Sequence, residues 1–174
     1  HRRLSIIDLS ENGRQPMWTE DFSLGIIFNG EVYNHAEIRP ELELEGYSFS
    51  GHSDTEVVLN AIHFWGLDKA LHRFIGMFAF AVWNAHTKKL YLVRDRLGVK
   101  PLYYQKTSDR LIFGSELKAL YAHPSFQRDL SHTGLEDFFC FGYTLGDRTV
   151  FKDTYKIPAG HYLSISANGE TTLE

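Results

Sequence analysis

Residues 74–95 read FIGMFAFAVWN, AHTK, KLYLVRD. Two apolar runs rich in Phe, Val, Leu and Tyr flank a four-residue stretch, three of whose residues are polar. That is the pattern of a β-hairpin with a buried face, and it commits the chain to at least one layered sheet. Further runs of the same kind follow. LYYQK and RLIFGS pair around Ser108-Asp109, and HYLSISANGETTL turns at Asn168-Gly169. Nearer the start, LSIIDL reads as a buried strand, GRQPMWTED as polar and turn-like, and FSLGIIF as a second apolar run ending at Asn29-Gly30.

Helical signals interrupt these strands. Asn34 with Glu37 three residues on makes a capping-box pattern, leading a helix disturbed by Pro40 and closed by Gly46. YSFSGHSD alternates like a strand and then breaks. Ser53 and Glu56 form a second box before DTEVVLNAIHFW, which stops at Gly66. ELKALYAH and SHTGLEDFFCF, the latter capped by Ser131, read as shorter helices. Many antiparallel pairs with a few helices give an α+β fold. No repeat or linker precedes Pro158-Ala159-Gly160, so residues 1–160 read as one domain and 161–174 as a terminal hairpin.

The 174 residues, 43% of them hydrophobic, suffice to bury roughly 70% of the unfolded surface in a single core. With 18 basic against 22 acidic side chains, the chain carries no electrostatic footprint for nucleic acid or an anionic membrane. No apolar run approaches the ~20 residues needed to cross a bilayer. A lone cysteine, Cys140, excludes an internal disulfide and makes the cytoplasm the expected compartment. Its neighbours Phe138, Phe139 and Phe141 make it read as a small core hydrophobe.

The phosphate-loop, dinucleotide, nucleophile-elbow and zincin motifs are absent, and nine His without a Cys-x-x-Cys give no zinc pattern. Four polar points remain at strand ends or helix starts: Arg3, Asn29-Gly30-Glu31, Asp54, and Arg94-Asp95. Each has a plain reading: a solvated terminal charge, a turn, a helix-dipole partner, an ion pair. Together they suit a zwitterionic amino acid. Arg binds an α-carboxylate bidentately, a carboxylate takes the α-ammonium, and an Asn amide with the next backbone N–H supplies two oxyanion donors. Glycine lets that backbone come close.

The ordered blocks HRRLSIIDLS…QPM, FNGEVYNH, GHSDTEVVL, GMFAFAVWN, LYLVRDRLGVKPLYY, FGSELKAL and TVFKDTYKIPAGHYL resemble the glutaminase domain of glutamine-hydrolysing asparagine synthetases, which are class II glutamine amidotransferases. The resemblance covers nearly the whole chain. It implies an N-terminal-nucleophile hydrolase fold, an αββα sandwich of two antiparallel sheets flanked by helices. It implies glutamine as substrate and a C-terminal, ATP- and Mg2+-dependent synthetase domain that adenylates aspartate and receives ammonia through a tunnel. No cofactor is expected in the glutaminase domain itself. By the same resemblance, Arg3 matches the α-carboxylate ligand, Asn29 and Gly30 the oxyanion hole, Glu31 a residue that holds glutamine, and Asp54 the acid for the α-ammonium. The first strand up to Ile7 lines the pocket, and Arg94 and Asp95 hold loops beside it.

One departure matters. The family's nucleophile is a cysteine at the mature N-terminus, with its own α-amine as base. Here the sequence opens at His1, inside what matches the second block of the family, and Cys140 is internal. The expectation is a partial glutamine pocket, incomplete at the N-terminus and inactive as it stands, with an uncovered edge or face open to homodimer formation. The alternative is a non-catalytic scaffold of a synthetase relative that does not use glutamine.

Overall fold

The computed structural model describes residues 10–174. The hairpin read from residues 74–95 is its centre: β3 (Gly76–Asn84) and β4 (Lys89–Arg94) pair antiparallel, Ala79 against Arg94 and Asn84 against Lys89. On one side β3 pairs with β2 (Leu24–Val32), which carries the short β1 (Met17–Trp18) on its far edge. On the other side β4 pairs with β8 (Tyr162–Ile165), and β8 with β9 (Thr171–Leu173). The sheet runs β1-β2-β3-β4-β8-β9, so the Asn168-Gly169 hairpin extends it. A second sheet, ordered β6-β5-β7, holds β5 (Tyr103–Lys106), β6 (Leu111–Gly114) and β7 (Thr154–Lys156). Every described strand pairing is antiparallel.

Period-two alternation splits the large sheet into two buried faces. Ile26, Phe28, Phe78, Phe80 and Val93 face α1 (His35–Leu44), α2 (Asp54–Trp65) and α3 (Leu67–Arg73), forming the main core with Ile38, Leu42, Val57, Val58 and Ile62. Phe28 and Phe80 stack with ring centres 5.9 Å apart there, and Phe78 meets Phe80 at 5.5 Å. Ile27, Ala79, Ala81 and Leu92 face the small sheet through Leu102, Tyr104 and Ile157. On the small sheet, α4 (Leu117–Tyr121) buries Leu120 against Gly114. The layers are therefore helix, sheet, sheet, helix, as the resemblance implied.

Ser53 caps α2 by accepting from Glu56 N–H at 3.3 Å, and Gly66 ends that helix at φ +80°. The box is half formed, because the Glu56 carboxylate reaches Ser50 N–H and Gly51 N–H. Arg39 donates to Gly51 O and Asn12 to Ser50 O. With its backbone groups taken by side chains, the YSFSGHSD segment is a loop and not the expected strand. Asn34 stands at the N-cap of α1 without capping it. Its amide donates to Arg73 O and accepts from Ile75 N–H, stitching α1 to the α3–β3 turn. Ser131 does cap α5 (His132–Phe141), accepting from Gly134 N–H.

Two further expectations are corrected. Asn29-Gly30 is not a hairpin turn, and the strand does not stop there. Strand β2 runs through it to Val32, with Asn29 opposite Ala79 and Gly30 opposite Phe78. Cys140 is not a core residue: it is exposed, because the last turn of α5 overhangs the body of the fold.

Candidate active site

The last four residues of β2, Asn29 to Val32, organise the site. Strand β1 covers β2 only at Gly25 and Ile26. Beyond it, the outward N–H groups of β2 are met by side chains. Phe28 N–H donates to Gln15 Oε1 at 2.7 Å, and Val32 N–H to Asp54 Oδ2 at 3.0 Å. Period-two alternation turns Gly30 N–H to that same edge, between the two.

Gly30 has φ +146°, and a Cβ there would lie 2.1 Å from Met77 O and 2.6 Å from Phe78 Cα. Its neighbour across the ladder obeys the same constraint: a Cβ on Gly76 would lie 2.1 Å from Glu31 O. The two strands approach too closely for side chains at either point, so glycine is required by backbone contact and not by a turn.

Asn29 projects to the opposite face of the sheet from Phe28. Its Nδ2 donates to Ser115 Oγ at 3.2 Å, which ties it to the residue following β6. Asn29, Ala79 and Arg94 form one cross-strand row. Arg94 closes that row with its whole guanidinium on backbone carbonyls: Nε to Lys100, Nη1 to Ile157 and Nη2 to Gly98, at 2.7–2.8 Å. Asp95 accepts from Leu97, Val99 and Lys100 N–H. Both residues shape the 95–100 loop.

Asp54 is buried at the start of α2. Each of its oxygens takes one backbone N–H, from Val32 at 3.0 Å and Thr55 at 2.8 Å. Burial pushes its carboxyl pKa up. Those N–H donors and the nearby His35 oppose the rise, while the Glu31 charge adds to it. His35 Nδ1 donates to Val32 O at 2.9 Å, so Asp54 holds the N–H and His35 the C=O of Val32.

The structure thus brings Asn29, Gly30, Glu31 and Asp54 to one strand end. Arg3 and Ile7 lie outside the described residues. Gln15, His35 and Ser115 join the arrangement without having been singled out in the sequence. Ser115 and Gln15 sit inside quoted blocks, but nothing in their spacing announces a bond to β2.

A family model described as "glutamine amidotransferase domain" matches residues 1–174. This chain belongs to that family. It is 41% identical to asparagine synthetase [glutamine-hydrolyzing] 3 of Bacillus subtilis over 97% of its own length and 28% of that protein. It is 36% identical to amidase chyE of Penicillium rubens, covering 94% of the chain and 23% of the relative. The chain thus spans about a quarter of the length of these curated relatives. Among solved structures, it superposes on glutamine phosphoribosylpyrophosphate amidotransferase from B. subtilis with TM-score 0.68 at 21% identity, over 100% of this chain and 33% of that one. A second match, an allosteric regulatory enzyme of purine biosynthesis, has TM-score 0.65 at 20% identity. At that identity the likeness is one of fold. Among the described residues, no helix is long and apolar enough to cross a membrane.

Proposed function

We propose that this chain is the glutamine-hydrolysing part of an asparagine synthetase-type protein. It binds glutamine at the Asn29–Val32 end of β2 and, completed by an N-terminal cysteine, releases ammonia. The remainder of such a protein would use ATP and Mg2+ to amidate a carboxylate acceptor, aspartate in the relatives' named reaction.

In this reading Arg3 takes the α-carboxylate and Asp54 the α-ammonium. Glu31 and the first strand up to Ile7 shape the pocket. The amide oxygen sits between Asn29 Nδ2 and Gly30 N–H. When the cysteine thiolate forms its bond to the amide carbon, the C=O electron pair moves to oxygen and those two donors stabilise it. The C–N bond then breaks, ammonia leaves with a proton supplied by the cysteine's α-amine, and water later releases glutamate. The 174-residue chain holds binding and oxyanion groups without that cysteine, so it is expected to bind glutamine without turning it over.

One observation carries the reading: a carboxylate buried at the start of α2 is bonded to the same four-residue strand end that presents an amide donor and a close-packed glycine. Calorimetric titration of glutamine, with Asp54→Ala as control, tests the pocket. Ammonia release from the polypeptide encoded with its natural upstream residues tests the chemistry. Binding that is unaffected by Asp54→Ala refutes the assignment. Binding without any ammonia release, from a chain whose own N-terminus is not cysteine, favours the non-catalytic scaffold.

A further inference from the structure

Alternate residues of β2 turn their N–H groups away from β3, toward the edge that β1 covers only in part. Along that edge Leu24 N–H donates to Thr19 Oγ1 at 3.0 Å, and Ile26 lies opposite Met17 in the β1 ladder. The same register would place Gln15 opposite Phe28, but β1 begins at Met17. The Gln15 side chain completes the pair that the backbone does not make. Phe28 N–H donates to Oε1 at 2.7 Å, where a continuing strand would offer a carbonyl. Two residues on comes Gly30, and two beyond it Val32, whose N–H is held by Asp54. At 3.3–3.4 Å of rise per residue, the two held groups stand about 13 Å apart, with Gly30 N–H near the middle.

This arrangement bears on how Gly30 is aimed. Its φ is +146°, and it has no side chain to pack, so its neighbours set the direction of its N–H. From the β3 side it is fixed by the close backbone of Met77 and Phe78. On the edge side it is bracketed by the bonds at Phe28 and Val32. Asp54 makes the second bond and is already assigned to the substrate ammonium. Gln15 makes the first and has no other assignment. We infer that Gln15 is a positioning residue: its side-chain oxygen holds the Phe28 end of the β2 edge, so that Gly30 N–H stays aimed at the amide oxygen of the substrate. The inference rests on the glutamine reading above, and in it Gln15 acts on the backbone and not on the substrate. Oxyanion donors work because they are fixed before charge develops, and misplacement by about 1 Å is enough to slow the chemistry. Without Gln15 the donor remains, but its aim spreads as Phe28 N–H turns to water.

The experiment uses the polypeptide encoded with its natural upstream residues and two probes. Glutamine reports turnover and ground-state binding. Its γ-aldehyde analogue reports the donors: the cysteine Sγ–C bond forms, the C=O electron pair goes to oxygen, and the thiol proton follows it. The oxygen of that tetrahedral adduct sits where the oxyanion would. Gln15→Met keeps the length of the side chain without a strong acceptor. It should lower kcat for ammonia release about tenfold, less than the 10²–10³ of losing a donor outright. Aldehyde affinity should fall by the same factor, while KM for glutamine stays within about twofold. Gln15→Asn, one carbon too short to reach, should show the same two losses and serves if the first variant fails to fold. Gly46→Ala, in open space away from the site, should leave both readouts unchanged. Full kcat and full aldehyde affinity in a folded Gln15 variant overturn the inference. So does a rise in KM that accounts for the whole loss of kcat/KM, which would place Gln15 among the substrate-binding groups. No ammonia release from the unsubstituted protein defeats the glutamine reading and this inference with it, a failure that shows before any residue is changed.

Discussion

Asp54 Oδ2 accepts the Val32 backbone N–H at 3.0 Å, so the first residue of α2 holds the last residue of β2. The contact fixes how the helix layer meets the sheet at the strand end where the site lies. It also explains why a carboxylate is tolerated under burial: both oxygens have a backbone donor, which offsets part of the desolvation.

The pH dependence follows from that environment. Burial raises the Asp54 pKa above the ordinary carboxylate value. Between the two values the folded state holds a proton that the unfolded state has lost. Stability from Asp54 is therefore fullest at low pH and falls as pH rises through the raised pKa. Asp54→Asn should flatten that segment of a melting temperature–pH profile. Glutamine affinity should change in the opposite direction, strengthening across the same interval, because the ammonium group needs the ionised carboxylate. A profile unchanged by Asp54→Asn would remove the carboxylate from the account.

Gly30 offers a steric test. With Met77 O only 2.1 Å from where its Cβ would sit, and φ at +146°, Gly30→Ala must push β2 from β3 near the end of their ladder. The expected loss is at least about 3 kcal/mol, from overpacking and backbone strain together. Gly46 is the control. It has φ +91° but open space around it, so Gly46→Ala should cost only about 1 kcal/mol. Urea unfolding at constant slope measures both. Comparable losses would mean that conformation, and not contact between the strands, dictates glycine at position 30.

Apolar runs separated by short polar turns were enough to read β3–β4, β5–β6 and β8–β9, because each run has its partner next to it in the chain. Helices α2 and α5 were legible from their caps. What stayed hidden depends on distant backbone. Asn29-Gly30 has the composition of a turn, yet Gly30 is there because Met77, far along the chain, crowds it. Residues 47–53 alternate like a strand, yet Glu56, Arg39 and Asn12 claim the backbone groups of Ser50 and Gly51. Cys140 looks buried among phenylalanines because periodicity does not reveal where a helix outruns its support. Asn29, Gly30, Glu31 and Asp54 were singled out by chemistry and resemblance, and the fold places them together near the end of β2. Gln15, His35 and Ser115 act through single contacts that no local pattern encodes.

Arg94 tests the loop beside the site. Its half-buried guanidinium serves the carbonyls of Gly98, Lys100 and Ile157 at once. Arg94→Ala leaves three acceptors short of a partner and should cost roughly 2–4 kcal/mol. Arg94→Lys should recover less than half, because a compact ammonium cannot reproduce the planar fork. Full recovery by lysine, in chemical denaturation, would show that charge alone suffices and that the three-way geometry is incidental.

The last prediction separates the two roles assigned around Asn29. Under the proposed mechanism its amide meets charge that exists only after attack on the substrate. In a polypeptide that carries the N-terminal cysteine, Asn29→Ala should therefore lower kcat by about 10²–10³, the usual effect of removing one oxyanion donor, with little change in KM. Ser115 Oγ accepts from Asn29 Nδ2 at 3.2 Å, so its effect on the chemistry would run through that amide. Ser115→Ala frees that amide to rotate, so it should lower kcat by a smaller factor while leaving glutamine binding intact. Ser115→Thr, which keeps a hydroxyl in place, should restore most of the rate. If Asn29→Ala instead raised KM with kcat unchanged, its side chain would be holding ground-state substrate, and the donor pair at the end of β2 would be a binding device and not a catalytic one.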